Sequence, residues 1–389
     1  MTAHSHSPAP AASRHTRRIV TAVLVPAAIA TLVALLILWP APVRSQPSSG
    51  DGQRALGTVT AVTTQVCPAG EQSCGSATVR ITGGPGRGTA QTVDLPQGPG
   101  STALHAGDKV VLDYLPGGAV PGGHPYTVVD HQRSTPLIWL IALAVAVILA
   151  FGRWRGLTSL AGLAVSFAVL LFFVIPAILA GSPPLLVAVV GSSAIMFAAL
   201  YLTHGVNVTT SVAVAGTLAS LVLTGLLGAG FTALLHLTGV GSDDTSSLLA
   251  FQGDIDLRGL LLAGIVIGAL GVLDDVTVTQ AVTVAEMTAA GPASRWELYR
   301  SAARVGRAHV ASAVNTIVLA YAGASLPLLL LIAAGSAPVS ELLTSEFIAQ
   351  EILRSAVGTI GLVASVPITT ALATLVADLR PSPVGHHRR

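Results

Sequence analysis

Runs of about twenty apolar residues recur along this chain, and they constrain its fold more than any motif, because a run of that length crosses the hydrocarbon of a bilayer as a helix. In lipid a backbone finds hydrogen-bond partners only inside a helix or a closed barrel. The runs fall near Ile19 to Trp39, Pro136 to Gly152, Leu157 to Ala180, Leu185 to Thr203, Val208 to His236, Gly259 to Val282, Val310 to Ala334 and Ala356 to Ala377. Hydrophobic residues make up 52% of the sequence and charged ones 10%, against about 25% charged in an ordinary soluble domain. The expected fold is mainly α, a polytopic membrane helix bundle of about eight transmembrane helices. Arg17 and Arg18 before the first run and Ala41-Pro42-Val43 after it imitate a signal peptide. Its apolar stretch exceeds the roughly 7 to 15 residues of a signal core, so a retained anchor is expected.

Lysine and arginine in short loops mark the cytoplasmic side. Arg14, Arg17 and Arg18 precede the first run, Arg153 and Arg155 follow the second, Arg295, Arg300, Arg304 and Arg307 lie between the sixth and seventh, and Arg380, Arg388 and Arg389 end the chain. An even number of spans puts all of these on one side. Asp243, Asp244, Asp254, Asp256, Glu341, Glu346 and Glu351 then fall opposite. The expected location is the bacterial plasma membrane, with both termini cytoplasmic.

The stretch from Ala41 to Thr135 differs in kind, being polar and rich in Gly, Pro and Thr. Short alternating runs at Gly57 to Thr64, Ala77 to Thr82, Thr89 to Leu95, Lys109 to Leu115 and Tyr126 to Asp130, separated by turn residues, predict a small β-barrel or sandwich of about five strands. Both cysteines of the chain, Cys67 and Cys74, lie here. Cysteines this close together outside the cytoplasm are expected to form a disulfide. The histidines of the segment have no metal-site spacing. The expected organisation is therefore a disordered cytoplasmic tail at 1–18, an anchor helix at 19–39, an extracytoplasmic β-rich domain at 41–135, a seven-helix membrane domain at 136–378 and a cytoplasmic tail at 379–389.

Within the sixth run stands Gly271-Val272-Leu273-Asp274-Asp275-Val276-Thr277-Val278-Thr279-Gln280. A carboxylate at bilayer depth costs about 2.5 to 3.5 kcal/mol on insertion scales, so two in succession call for a partner, a proton or an ion. Asp275 and Thr279 share one helical face, and Asp274 and Thr277 an adjacent one. A strip of this polarity is expected to point into the bundle or a wet cavity. Beyond Gly291-Pro292, Ser294-x-x-Glu297 has the form of a capping box. The helix it opens carries Arg300, Arg304 and Arg307 as one basic stripe. Two readings stand for that stripe: anchoring to lipid phosphates, or pairing of Arg304 or Arg307 with Asp275. Then follow His309, Ser312, Asn315, Thr316 and Tyr321, with Gly323 and Pro327 expected to break the helix near mid-membrane.

These motifs, Gly271 to Gln280, Gly306-Arg307-x-His309-x-x-Ser312-x-x-Asn315-Thr316 and Leu319 to Pro327, resemble the YibE/F family of bacterial membrane proteins, and the layout of anchor, outer β segment and helix bundle resembles it over most of the chain. The resemblance implies a membrane protein presumed to transport an unknown cargo. A shorter similarity, an Asp pair late in one span followed by an amphipathic connection and an Asn-Thr step, links the region to the membrane halves of SecD/SecF and RND permeases. It implies that Asp274 or Asp275 is alternately protonated and released as the bundle rocks.

No phosphate-binding loop, zinc-protease motif or nucleophile elbow occurs, so no enzymatic activity, cofactor or metal is expected. Basic residues sit at helix ends rather than in a nucleic-acid-binding patch; the expected partners are membrane lipids and an extracytoplasmic ligand or protein. The first functional expectation is a coupled transporter with Asp274 and Asp275 as coupling groups and Thr277, Thr279, Gln280, Arg304, Arg307, His309, Asn315 and Tyr321 along the path. The second is a non-transporting scaffold or envelope factor in which the Asp pair ties helices together and the β-domain binds a partner.

Overall fold

A computed structural model describes residues 14–40, 53–65, 74–95, 103–116, 124–241, 255–291, 294–334 and 344–378, together with 248, 338 and 341. The readings of both tails and of the Cys67–Cys74 bridge lie outside this set, since Cys67 is not described and Cys74 is described only as the first residue of a strand. Two compact units are present, one comprising residues 44–153 and the other 1–43 with 154–389.

The first unit is built on five antiparallel strands, β1 Gln53–Gln65, β2 Cys74–Gly83, β3 Ala90–Asp94, β4 Lys109–Tyr114 and β5 Tyr126–His131, in the order β3-β2-β1-β4-β5. Alternation sends Val59, Val79, Ile81, Val93, Val110 and Leu112 to one face, where they form a core. The sheet curls until its outer strands approach one another: the Tyr126 hydroxyl donates to the Pro85 carbonyl at 3.1 Å, and His124 Nε2 lies 3.9 Å from Asp94 Oδ1. Residues 134–153, the first half of helix α2 (Ser134–Val169), cluster with this unit. They stand almost wholly exposed, apolar though they are.

At Arg153 the helix is interrupted, with φ 49° and ψ −125°. α2 is thus two helices joined at a kink, the second of which runs on through a π-helical turn at Leu170–Val174 into α3, Ile175–Leu179. Pro176, lacking an N–H, leaves the Phe172 carbonyl without its helical donor, a familiar cause of such a turn.

The second unit contains α1 (Arg14–Ile37), the rest of α2, α3, α4 (Pro184–His204), α5 (Val208–Leu234), α6 (Leu257–Ala289), α7 (Arg295–Ala324), α8 (Leu326–Ala334) and α9 (Glu346–Val376). Polar side chains start three of them, the last at the expected capping box: Asn207 accepts from the Thr210 N–H at 2.8 Å, Asp256 from Gly259 at 2.9 Å and Ser294 from Glu297 at 3.1 Å. Six helices are long and apolar enough to cross a membrane among the described residues. Their outer faces keep large apolar side chains bare, with Leu226 and Leu375 each 68% exposed. A protein that turns leucine outward on helices of this length is embedded in lipid.

Helix α6 lies at the centre, sharing cores with α4 and α5 through Leu270 and Leu273 and with α7 and α9 through Val276. Helices α5 and α9 approach through a ladder of small residues. A Cβ on Gly216 would overlap the Thr369 hydroxyl, one on Gly361 the Thr224 hydroxyl, and the fully buried Ser220 and Ser365 lie between at the same spacing. The bundle has two distinct ends. At one, the Thr16 hydroxyl donates to the Val376 carbonyl at 3.3 Å, and Arg295 donates to the carbonyls of Thr374 and Leu375, satisfying acceptors that the C-terminus of α9 leaves open. At the other, Glu346 of α9 accepts from the Thr238 N–H and hydroxyl, both at 2.6 Å, and from Gly239 N–H at 3.0 Å.

Two expected boundaries move. The last span starts at Glu346, ten residues before Ala356, so Glu346 and Glu351 belong to a helix and not to a loop. Gly323 and Pro327 do end a helix, but the break falls at Ser325 between α7 and α8. That is about 45 Å from the start of α7, at its far end.

Candidate functional site

The 33 residues of α6 place Asp274 and Asp275 about 27 Å from its start, near the midpoint. Helical rotation then sorts the polar residues onto opposite faces. Thr277 and Gln280 point into the bundle and are 0% and 1% exposed; Asp274 is half-buried, and Asp275 and Thr279 are exposed. Of the expected strip, Thr277 and Gln280 face the bundle, whereas Asp275 and Thr279 lie on an open face. The glycines Gly264, Gly268 and Gly271 lie on the same open face as Asp275, and nothing stands within 4 Å of a Cβ added to Gly264 or Gly271.

The inward pair holds four helices together. The hydroxyls of Thr277 and Thr217 on α5 share a hydrogen bond of 2.7 Å, and Gln280 Nε2 donates to the Ala302 carbonyl of α7 at 3.0 Å and to the Thr370 hydroxyl of α9 at 2.7 Å. Gly306 admits this arrangement. A Cβ there would lie 2.6 Å from the Gln280 carbonyl oxygen and 2.5 Å from a Val366 methyl, far inside van der Waals contact. Gln280 and Gly306, which stood in separate motifs in the sequence, are thus two halves of one contact.

Asp274 and Asp275 have no such partner. Among the described residues neither side chain makes an ion pair with Arg304, Arg307 or His309; Arg304 donates instead to the Ser301 hydroxyl at 3.1 Å. Arg304 and Arg307 line a groove between α7 and α9 with Tyr299, Arg300, Val363 and Pro367. His309, Ser312, Asn315 and Thr316 occupy the exposed face of α7. The structure therefore does not bring the expected path residues into one cavity. It separates an inner knot, an open face with the acids, and a basic groove.

Tyr321 is half-buried, its hydroxyl 3.1 Å from where a Cβ of Gly268 would stand. Near the same end of the bundle, the Ser325 hydroxyl donates to Glu351 at 3.3 Å, and Arg354 Nη1 donates to Glu351 at 2.8 Å. Sequence reasoning missed this Ser325-Glu351-Arg354 network. The available signal was the three-residue spacing of Glu351 and Arg354, which lets opposite charges neutralise one another on a single helix face.

The YibE/F-like protein family matches residues 140–379, covering most of the exposed helix, the second unit from the rest of α2 through α9, and every residue of the inner knot. No curated protein and no solved structure matches the chain.

Proposed function

We propose, from the premise that this chain belongs to the YibE/F-like protein family, that it is an ion- or proton-coupled membrane transporter in which Asp274 and Asp275 are the coupling groups. The observation that carries this reading is the absence, among the described residues, of any ion pair at either acid, while Thr277 and Gln280 supply the ties between helices. A scaffold needs the acids as tethers. With that role filled by neighbours, two carboxylates at the middle of a membrane helix keep only a use that involves a proton or a cation.

The same proposal includes the topology. The helix of residues 134–152 and the second half of α2 count as separate spans, divided at Arg153. Helix α7 is counted as well, although its arginines keep it out of the strictly apolar set. Together with α1, α4, α5, α6 and α9 these make eight, with both termini cytoplasmic in a bacterial plasma membrane and residues 41–135 outside. The sharing of one bundle end by Thr16, Arg295 and the last turn of α9 supports this parity.

The test is flux. Full-length protein reconstituted in vesicles, with a pH-sensitive dye inside and imposed proton, sodium or potassium gradients, is expected to carry a flux that Asp274→Asn and Asp275→Asn each reduce by about tenfold or more, the equivalent of about 1.4 kcal/mol in the coupled step. Should both variants insert, fold and match the parent under every gradient, coupling by these acids is excluded. The chain then reads as an envelope scaffold whose β unit binds a partner.

A further inference from the structure

The groove between α7 and α9 is unrelated to the acids of α6 and has a chemistry of its own. It encloses about 540 Å³ and is lined on one wall by Arg300, Arg304 and Arg307, with none of its lining residues acidic. Among the described residues none of the three arginines makes an ion pair; the one bond they make to another side chain is that of Arg304 to Ser301. Three uncompensated guanidinium groups around one concavity specify an anion, and their planar forks match phosphate oxygens.

The remainder of the lining says which anion. Val310, Val363, Val366 and Pro367 continue the groove as an apolar floor. Trp296 and Tyr299 stack at the start of α7 with ring centroids 5.5 Å apart, Trp296 is 66% exposed, and Tyr299 itself lines the groove. Aromatic residues of this kind sit at the headgroup level of a bilayer. Along the helix axis the order is aromatic pair, arginines, then valine, with Val310 about 21 Å beyond Trp296. An aqueous phosphate fits the arginines and leaves the apolar floor unused. A molecule whose phosphate stands at the headgroup level and whose chain enters hydrocarbon fits both.

We propose that this groove is a binding site for an anionic phospholipid, the phosphate held by Arg300, Arg304 and Arg307 and one acyl chain lying against Val310, Val363 and Val366. The site takes the lipid from the leaflet that faces the arginine end of the bundle. It does not depend on the transport reading.

The experiment is native mass spectrometry of the full-length protein in detergent, titrated with phosphatidylglycerol or with phosphatidylcholine of the same chains. Wild type is expected to retain phosphatidylglycerol in preference to phosphatidylcholine, and millimolar inorganic phosphate is expected to leave that binding intact. An arginine near an anionic lipid contributes roughly a factor of five, so the triple variant Arg300→Gln, Arg304→Gln, Arg307→Gln should lose roughly a hundredfold in phosphatidylglycerol affinity and nothing for phosphatidylcholine. Ala303→Leu, which fills the groove and keeps every charge, should weaken phosphatidylglycerol as well and serves where the triple variant fails to fold. Equal retention of the two lipids by wild type overturns the site, as does unchanged affinity in the variants. Displacement by inorganic phosphate overturns the lipid in favour of a soluble anion.

Discussion

At the scale of single residues, polar neighbours on α6 meet opposite surroundings, Gln280 being 1% exposed and Asp275 lying open. Helical periodicity states that Asp275 and Thr279 share a face and that Gln280 occupies another, but the absolute orientation depends on which helices surround α6, and no residue of α6 encodes that. The consequence is a reversal of roles between neighbours. Gln280, expected to line a path, is the buried knot, and Asp275, expected in the bundle or a wet cavity, is on the open face. Replacing Gln280 with Leu removes its bonds to Ala302 and Thr370 and leaves a carbonyl and a hydroxyl short of a partner, at a cost of about 1 to 2 kcal/mol in a membrane interior. Asp275→Asn breaks no contact among the described residues and should change stability by less than about 0.5 kcal/mol. Thermal unfolding of the three proteins in one detergent separates these outcomes, and an Asp275→Asn variant as unstable as Gln280→Leu reveals a structural partner for the acid.

Between elements, few contacts are legible in the sequence because the residues that join membrane helices are small and occur everywhere in apolar spans. The strands of the β unit were placed to within a few residues, since alternation and turn residues act locally. The ladder of Gly216, Ser220 and Thr224 against Thr369, Ser365 and Gly361 has only a four-residue spacing as its mark, and that spacing does not name the partner helix. Hydropathy also misplaced the start of α9, because Glu351 and Arg354 count as two charges in a sequence and as one neutralised pair at 2.8 Å in the helix. The ladder can be tested with glycines of two kinds. Gly216→Ala and Gly361→Ala drive a methyl onto the hydroxyls of Thr369 and Thr224 and should each destabilise by about 1 to 3 kcal/mol. Gly264→Ala and Gly271→Ala meet nothing within 4 Å and should be neutral or slightly stabilising, because alanine is the better helix former. Resistance of the purified protein to heat or protease reads the difference; four equal outcomes contradict the close approach of α5 and α9.

For the molecule as a whole, the sequence carries its orientation in charge, and that signal is independent of packing. Arginines accumulate where α1 and α7 begin and α9 ends, and hydrogen bonds from Thr16 and Arg295 bring those same termini together. Two unrelated kinds of observation therefore agree on which helix ends are neighbours, and parity does the rest: an eight-span chain with its basic ends inside must carry residues 41–135 outside. The chain's two cysteines, both in that segment, report on the arrangement without any introduced label. On the proposed topology and a Cys67–Cys74 bridge, a membrane-impermeant maleimide should fail to react in intact cells before reduction. After treatment with an impermeant reductant it should add twice per chain. Reaction without reduction means free thiols and disproves the bridge while leaving the orientation intact. Reaction only after the cells are opened means that the β unit is cytoplasmic, and it overturns the proposed placement of the basic ends.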